Sequence, residues 1–173
     1  MHLLTILFNL AVSCWLGGAA LFTFVLTPKL FAAYSRDLAG NIVGLLFPGY
    51  FRWGLACGAV ALLCQLINRG RFAVASLLII VLMLLLTATQ AFVIEPRAAE
   101  LKQSIASFET TPKDDPVRIQ FRTLHGLSMA ANLAVIVGGL ALVILASLPA
   151  SSAAQKSQQN PTLQHAFNQT KQP

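Results

Sequence analysis

Four long apolar runs, Leu3–Leu26, Tyr50–Ile67, Phe72–Ile94 and Leu124–Leu148, set what this chain can fold into. Each approaches the roughly 20 residues that a helix needs to cross a bilayer core of about 30 Å. Arg52, near the start of the second run, is the one Lys, Arg, Asp or Glu inside any of them. A soluble chain of 173 residues has no use for that much continuous apolar helix. The expected fold is all-α: a membrane protein built as a four-transmembrane-helix bundle, with an amphipathic helix after the first span. Residues 1–148 form the expected four-span domain, and residues 149–173 a polar tail.

Composition agrees. Hydrophobic residues make up 56% of the chain and charged residues 10%, against about 25% charge in soluble domains. Mean hydropathy is +0.69. The net charge of +6 raises the question of nucleic acid, but Lys and Arg stand singly in loops and form no basic run. Beside membrane helices such charge reads as topology and headgroup contact. The expected partner is the lipid bilayer, not nucleic acid, and the expected location is the cell membrane. Cys14, Cys57 and Cys64 all lie inside spans, so free buried thiols are expected and no disulfide framework. Small residues at Gly17–Ala20 imitate a signal-cleavage site, yet the apolar run continues to Leu26 and no Lys or Arg precedes it. A retained first helix is the reading.

Prolines punctuate the chain. Thr27-Pro28 should end the first span, because the residue before proline is pushed away from helical geometry. An amphipathic helix is expected within Pro28–Leu46, since Leu30, Phe31, Tyr34, Leu38, Ile42 and Leu45 recur every three or four residues. Phe47-Pro48-Gly49 should stop it before Tyr50, Phe51 and Trp53 open the second span as an aromatic belt. Spans two and three are joined only by Asn68–Arg71, which makes them antiparallel neighbours. Gly54 and Gly58 form a G-x-x-x-G pair that permits close helix approach, within the chain or in a homo-oligomer. The third span meets Glu95-Pro96, and a short amphipathic helix through Ala98, Leu101, Ile105 and Phe108 should follow. Asp115-Pro116 is a capped helix start, so the last helix should begin at Pro116. The tail from Ala153, rich in Gln, Asn and Ser, reads as disordered, and Asn168-Gln169-Thr170 matches a glycosylation sequon.

Four spans put the connections after spans one and three on the same side, and nearly every unusual residue sits there. Arg118, Arg122, His125, Ser128 and Asn132 step by three or four along one stripe that descends into the membrane. Polar groups facing lipid are costly, so the stripe should face the bundle. His125 could relay a proton, bind a ligand or hold a metal; the alternative is interhelical hydrogen bonding that fixes helix register. Glu95 at the same end needs a partner, with Arg97, Arg122 or His125 available, as an ion pair or as an acid–base dyad. Arg52 belongs to this end too.

Cofactor signals are weak. His2 and His125 lie at opposite ends of their spans and His165 in the tail, so no bis-histidine haem pair is expected, and no cofactor is assigned. Cys14, Cys57 and Met83 each lie about 10–12 residues from one side, near ~16 Å depth by helix rise. They offer soft ligands for Cu(I), or ordinary apolar filler. Walker, G-x-S-x-G, C-x-x-C and H-E-x-x-H motifs are absent from the sequence.

Trp15-Leu16-Gly17-Gly18, Phe24 to Pro28, Ala39-Gly40, Phe47-Pro48, Glu95-Pro96, and Phe121-Arg122-x-Leu124-His125-Gly126-Leu127-Ser128 with Asn132 resemble the transmembrane protein 205-like family. The resemblance covers roughly Met1–Leu148. It implies a four-span integral membrane domain of unknown function and carries no catalytic residue.

Two function classes follow. One is a non-enzymatic membrane protein, either a scaffold or a handler of a small solute or metal around the polar stripe, its ligand unknown. The other is a membrane redox enzyme or cofactor carrier of the small four-helix type. Orientation stays open, because Arg69, Arg71, Lys156 and Lys171 on one side oppose eight Lys and Arg on the other that are mixed with all six acids.

Overall fold

The computed structural model describes residues 2–67 and 73–148. The Asn68–Arg71 link, the disordered-tail reading and the Asn168 sequon lie outside them. Four helices carry the described chain: α1 His2–Ala33, α2 Arg36–Ile67, α3 Ala73–Gln103 and α4 Pro116–Ser147. Each is long and apolar enough to cross a membrane. They pack in ring order, each against the next and α1 against α4.

Helices of this length, 32 residues in three cases and 31 in α3, run about 48 Å, against a core of about 30 Å. The surplus lies at one end in all four, beyond the apolar runs, and makes a helical head. All six acids of the chain sit at this end: Asp37, Glu95 and Glu100 on the helices, and Glu109, Asp114 and Asp115 in the loop before α4. Large apolar residues stand exposed along the bundle, Phe92 and Val74 at 72% and Leu82 at 58%, as a lipid-facing surface requires.

Lipid tails are as apolar as leucine, so the helices are held by close packing rather than by exclusion of water. Large side chains therefore sit on glycines of the neighbouring helix. Trp15 of α1 lies across Gly54 and Gly58 of α2, Met83 of α3 against Gly138 of α4, and Leu16 of α1 against Gly139. Val12, Cys57, Ala61, Ile80, Val135 and Leu142 complete this core. The Gly54/Gly58 face is thus occupied inside the bundle, and a second copy of the chain would need another face.

The prolines do not break the helices where the sequence suggests. There is no separate amphipathic helix over Pro28–Leu46. Its first part continues α1 to Ala33, and its second part opens α2, which runs on through Pro48. Likewise α3 passes Glu95-Pro96 and ends at Gln103, leaving Ile105 and Phe108 in the loop 104–115. The reason is a π-turn before each proline, Leu21–Leu26 in α1 and Gln90–Ile94 in α3. In a regular helix Pro28 would collide with the carbonyl four residues back. The π-turn shifts that register by one residue. Thr27 N–H donates to the Phe22 carbonyl and keeps helical angles (φ −59°, ψ −50°); Glu95 N–H donates to the Gln90 carbonyl in the same way. Pro48 lies inside α2, which runs on there without a π-turn.

The two π-turns share a sequence. Phe24-Val25-Leu26-Thr27-Pro28-Lys29 is matched by Phe92-Val93-Ile94-Glu95-Pro96-Arg97.

The α4 start forms as its sequence indicates. Asp115 caps the helix by accepting from Arg118 N–H at 2.9 Å, with Pro116 at the first turn. The loop before it is tied to α2 by Asp37, which accepts from Ser107 Oγ at 2.6 Å and from Phe108 N–H at 2.7 Å. Asp37 lies in the head, outside the apolar run of α2. The Ser107 hydroxyl first, and the Phe108 N–H second, hold its carboxyl below the usual carboxylate range. A depressed carboxylate stabilises the fold above its unfolded pKa and loses that contribution as pH falls through the folded value. The loop should therefore loosen below about pH 4. Amide protection at Phe108 is expected to be high at pH 7 and to fall progressively below about pH 4, and Asp37→Ala, which removes both acceptors, should leave Phe108 poorly protected at pH 7. Parent-like protection of Phe108 in Asp37→Ala would count against this tie.

Candidate functional site

The polar stripe of α4 meets both π-turns. Ser128 Oγ donates to Gln90 Oε1 at 3.0 Å, and Gln90 is the first residue of the α3 π-turn. One turn deeper, Asn132 Nδ2 donates to Thr23 Oγ1 at 2.6 Å, inside the α1 π-turn. Asn132 Oδ1 accepts from the Tyr50 hydroxyl of α2. Ser128 and Asn132 thereby tie all four helices together at one level. Gln90 is 1% exposed, so its amide would be costly there without a partner.

Two adjoining cavities open from this level into the head. The first, about 650 Å³, lies among α2, α3, α4 and the loop, with Glu95, Asp37, Lys102 and His125 on its wall. The second, about 480 Å³, lies between α1, α2 and α4, and Thr23, Tyr50, Gln90 and Asn132 are on its wall. They share Phe47, Phe51, Phe108, Phe121, Lys102 and His125, with Gly40 and Ser128, as a common partition. The partition is aromatic and ordered by stacking. Phe22 stacks on Tyr50 at 4.5 Å and Phe47 on Phe51 at 5.5 Å. Phe108 meets Phe121 at 4.9 Å, and Phe121 lies parallel to His125 at 6.1 Å. Lys102 reaches across the bare backbone of α2, its Nζ lying 3.7 Å and 3.6 Å from where a Cβ on Gly40 and Gly44 would stand.

The sequence candidates fall into separate roles. Ser128 and Asn132 are hydrogen-bonded into the bundle. His125, one turn above, faces the cavities. Arg118 belongs to the loop: its guanidinium donates to the Thr111 carbonyl and lies 5.8 Å from the Phe108 ring centre. Arg122 and Arg52 are exposed. Glu95 lines the first cavity beside Lys102 and His125 rather than pairing with Arg97 or Arg122. Trp15 and Gly18 are packing positions, Gly18 lying against Trp53. Gly17, Pro28, Pro48 and Pro96 are exposed, and Phe47 is a cavity wall. Cys57 and Met83 are core residues and Cys14 is exposed. Among the described residues no three His, Cys, Asp or Glu come together as a metal would require.

Four residues of the site escaped the sequence reading: Thr23, Gln90, Lys102 and Phe108. Thr23 and Gln90 did carry a signal, as polar side chains inside apolar runs. Lys102 and Phe108 carried none, because the loop fold alone brings them to the cavities.

Residues 10–107 match the family described as a domain of unknown function (DUF4149). The match spans more than half of the chain, and the chain belongs to that family. It holds both π-turns, Asp37 and Lys102, and stops short of α4. The chain is also similar to an uncharacterized protein of Aquifex aeolicus (strain VF5), 29% identical over 134 residues that cover 78% of this chain and 89% of that one. No solved structure matches it.

Proposed function

We propose that this DUF4149 member is a non-enzymatic multi-pass protein of the cell membrane that takes up a small solute in the paired cavities of its head. One observation carries the reading. The polar groups at this end divide by their bonding: Ser128 and Asn132, which also line the second cavity, bond to Gln90, Thr23 and Tyr50, whereas Glu95, Lys102 and His125 line the first cavity outside that hydrogen-bonded set. The first pair holds helices; the other three can meet a ligand without breaking it. Volumes of about 650 and 480 Å³ fall within the range of about 300–1,000 Å³ usual for small-molecule sites. The aromatic lining with few polar groups is also typical of such sites. The resemblance to the transmembrane protein 205-like family supports the same four-span architecture and leaves the solute to chemistry.

The test uses the full chain in phosphatidylcholine nanodiscs with a diazirine-bearing hexadecanol as probe. Gly40 lines both cavities, and a Cβ there meets only the end of Lys102, at an ordinary 3.7 Å, so Gly40→Phe should fill them and leave the bundle intact. Saturable labelling of peptides around Phe47–Phe51 and Phe121–Ser128 is expected in the parent chain. Gly40→Phe should cut it about tenfold, the factor for roughly 1.4 kcal/mol, with Tm unchanged. Unsaturable labelling spread over lipid-facing residues such as Leu82 and Phe92 in both proteins would refute uptake.

A further inference from the structure

The charges of the two cavities differ. Both acids, Asp37 and Glu95, line the first. Arg36 and Lys102 line the second, and no Asp or Glu does. Asp37 already accepts two hydrogen bonds from the loop and attracts Lys102 from the first-cavity side. On the second-cavity side no carboxylate lines the wall beside the two cations.

The second cavity also reaches the lipid. Phe24, Phe31, Met129 and Leu133 line it and are 58%, 44%, 59% and 51% exposed. They sit on α1 and α4, so the cavity opens sideways between those two helices. From that opening its wall runs inward over Phe22, Tyr50 and Phe47 to Lys102. A path that is apolar at the lipid edge and cationic at its inner end matches a molecule with an alkyl chain and an anionic head. A volume of about 480 Å³ lies in the lower half of the usual ligand range, which favours a single chain.

We propose that the second cavity binds a free single-chain anionic amphiphile of the fatty-acid class. Its carboxylate lies between Lys102 and Arg36, and its alkyl chain leads out between α1 and α4. This rests on the uptake reading above and adds the chemistry of the solute. Arg offers a planar fork to a carboxylate and Lys a point charge. Tyr50 and His125 are the other titratable groups on this cavity.

The probe is a diazirine-bearing palmitate, with the full chain in phosphatidylcholine nanodiscs. Palmitate should displace it about tenfold better than hexadecanol or hexadecylamine, the gain expected of a charge-assisted hydrogen bond. Lys102→Gln and Arg36→Gln should each erase most of that preference, and Lys102→Arg should keep it. Tm in micelles should stay that of the parent in all three, which shows that the variants fold. If hexadecylamine or hexadecanol competes as well as palmitate, the anionic class is wrong while uptake stands. If phosphatidic acid in the disc displaces the probe better than palmitate, the free single-chain assignment is wrong. If no head group gives saturable labelling, both readings fall.

Discussion

Gly58→Leu is expected to be the most damaging single substitution in the bundle. A Cβ at that position would stand 2.5 Å from Leu84 Cδ2 and 2.7 Å from two ring carbons of Trp15. Leu84 is flexible at that end, but Trp15 is not. Its ring is 3% exposed, and its Nε1 lies 2.9 Å from where a Cβ on Gly54 would be. The indole is a slab laid across two glycines, with the neighbouring turns on both sides. Overpacking of this kind costs about 1–3 kcal/mol, and a rigid ring puts leucine at the upper end. Denaturant unfolding in micelles should show a loss of about 3 kcal/mol. Gly49→Ala and Gly126→Ala, where a new Cβ meets nothing within 4 Å, should change little. Trp15→Ala alone leaves a hole. Because its unfolded reference stays in lipid, it should cost less than the roughly 3–5 kcal/mol of soluble cores. Combined with Gly58→Leu it should recover part of the loss, and simple addition of the two losses would contradict the packing described.

Asn132→Leu comes second. It removes the bond from Tyr50 and the bond to Thr23 at once. Interhelical hydrogen bonds in membranes average about 0.6 kcal/mol. Thr23 can turn to its own helix for a carbonyl. Tyr50 cannot, and an orphaned buried hydroxyl adds about 1 kcal/mol or more. The expected total is about 2 kcal/mol. In a Tyr50→Phe background the same change should cost about 1 kcal/mol less, because no hydroxyl is then orphaned. An identical cost in both backgrounds would mean that the Tyr50–Asn132 bond contributes nothing. Ser128→Ala, with one bond at stake, should cost less than either.

Much of this was written in the sequence, and what was missed has physical reasons. The four spans were legible because each is an unbroken apolar run, and the α4 start because Asp115-Pro116 is a local signal that needs no tertiary help. The Ser128–Asn132 spacing placed both side chains on one stripe. The proline rule failed at Thr27-Pro28, Phe47-Pro48 and Glu95-Pro96. It describes an isolated turn, whereas a bilayer helix can pass a proline by widening one turn, as before Pro28 and Pro96. The repeated Phe-Val-x-x-Pro element was visible in the letters, but only the two π-turns give it meaning. The contacts of Asp37 with Ser107 and Phe108 span about 70 residues of sequence and depend on a loop whose path no local pattern states. Lys102 reached the cavities for the same reason.

Ser128 and Asn132 line the second cavity, yet their role is to hold the helices while Lys102 and His125 meet the solute, and labelling of Asn132→Leu separates these roles most directly. Leucine keeps the shape of the side chain and removes both hydrogen bonds. With the diazirine-bearing hexadecanol, labelling per folded chain in Asn132→Leu should stay within about twofold of the parent, a difference under roughly 0.5 kcal/mol, although the variant unfolds more easily. Parent-like stability together with a tenfold loss of labelling would make Asn132 a ligand anchor and overturn the division between clamp and cavity.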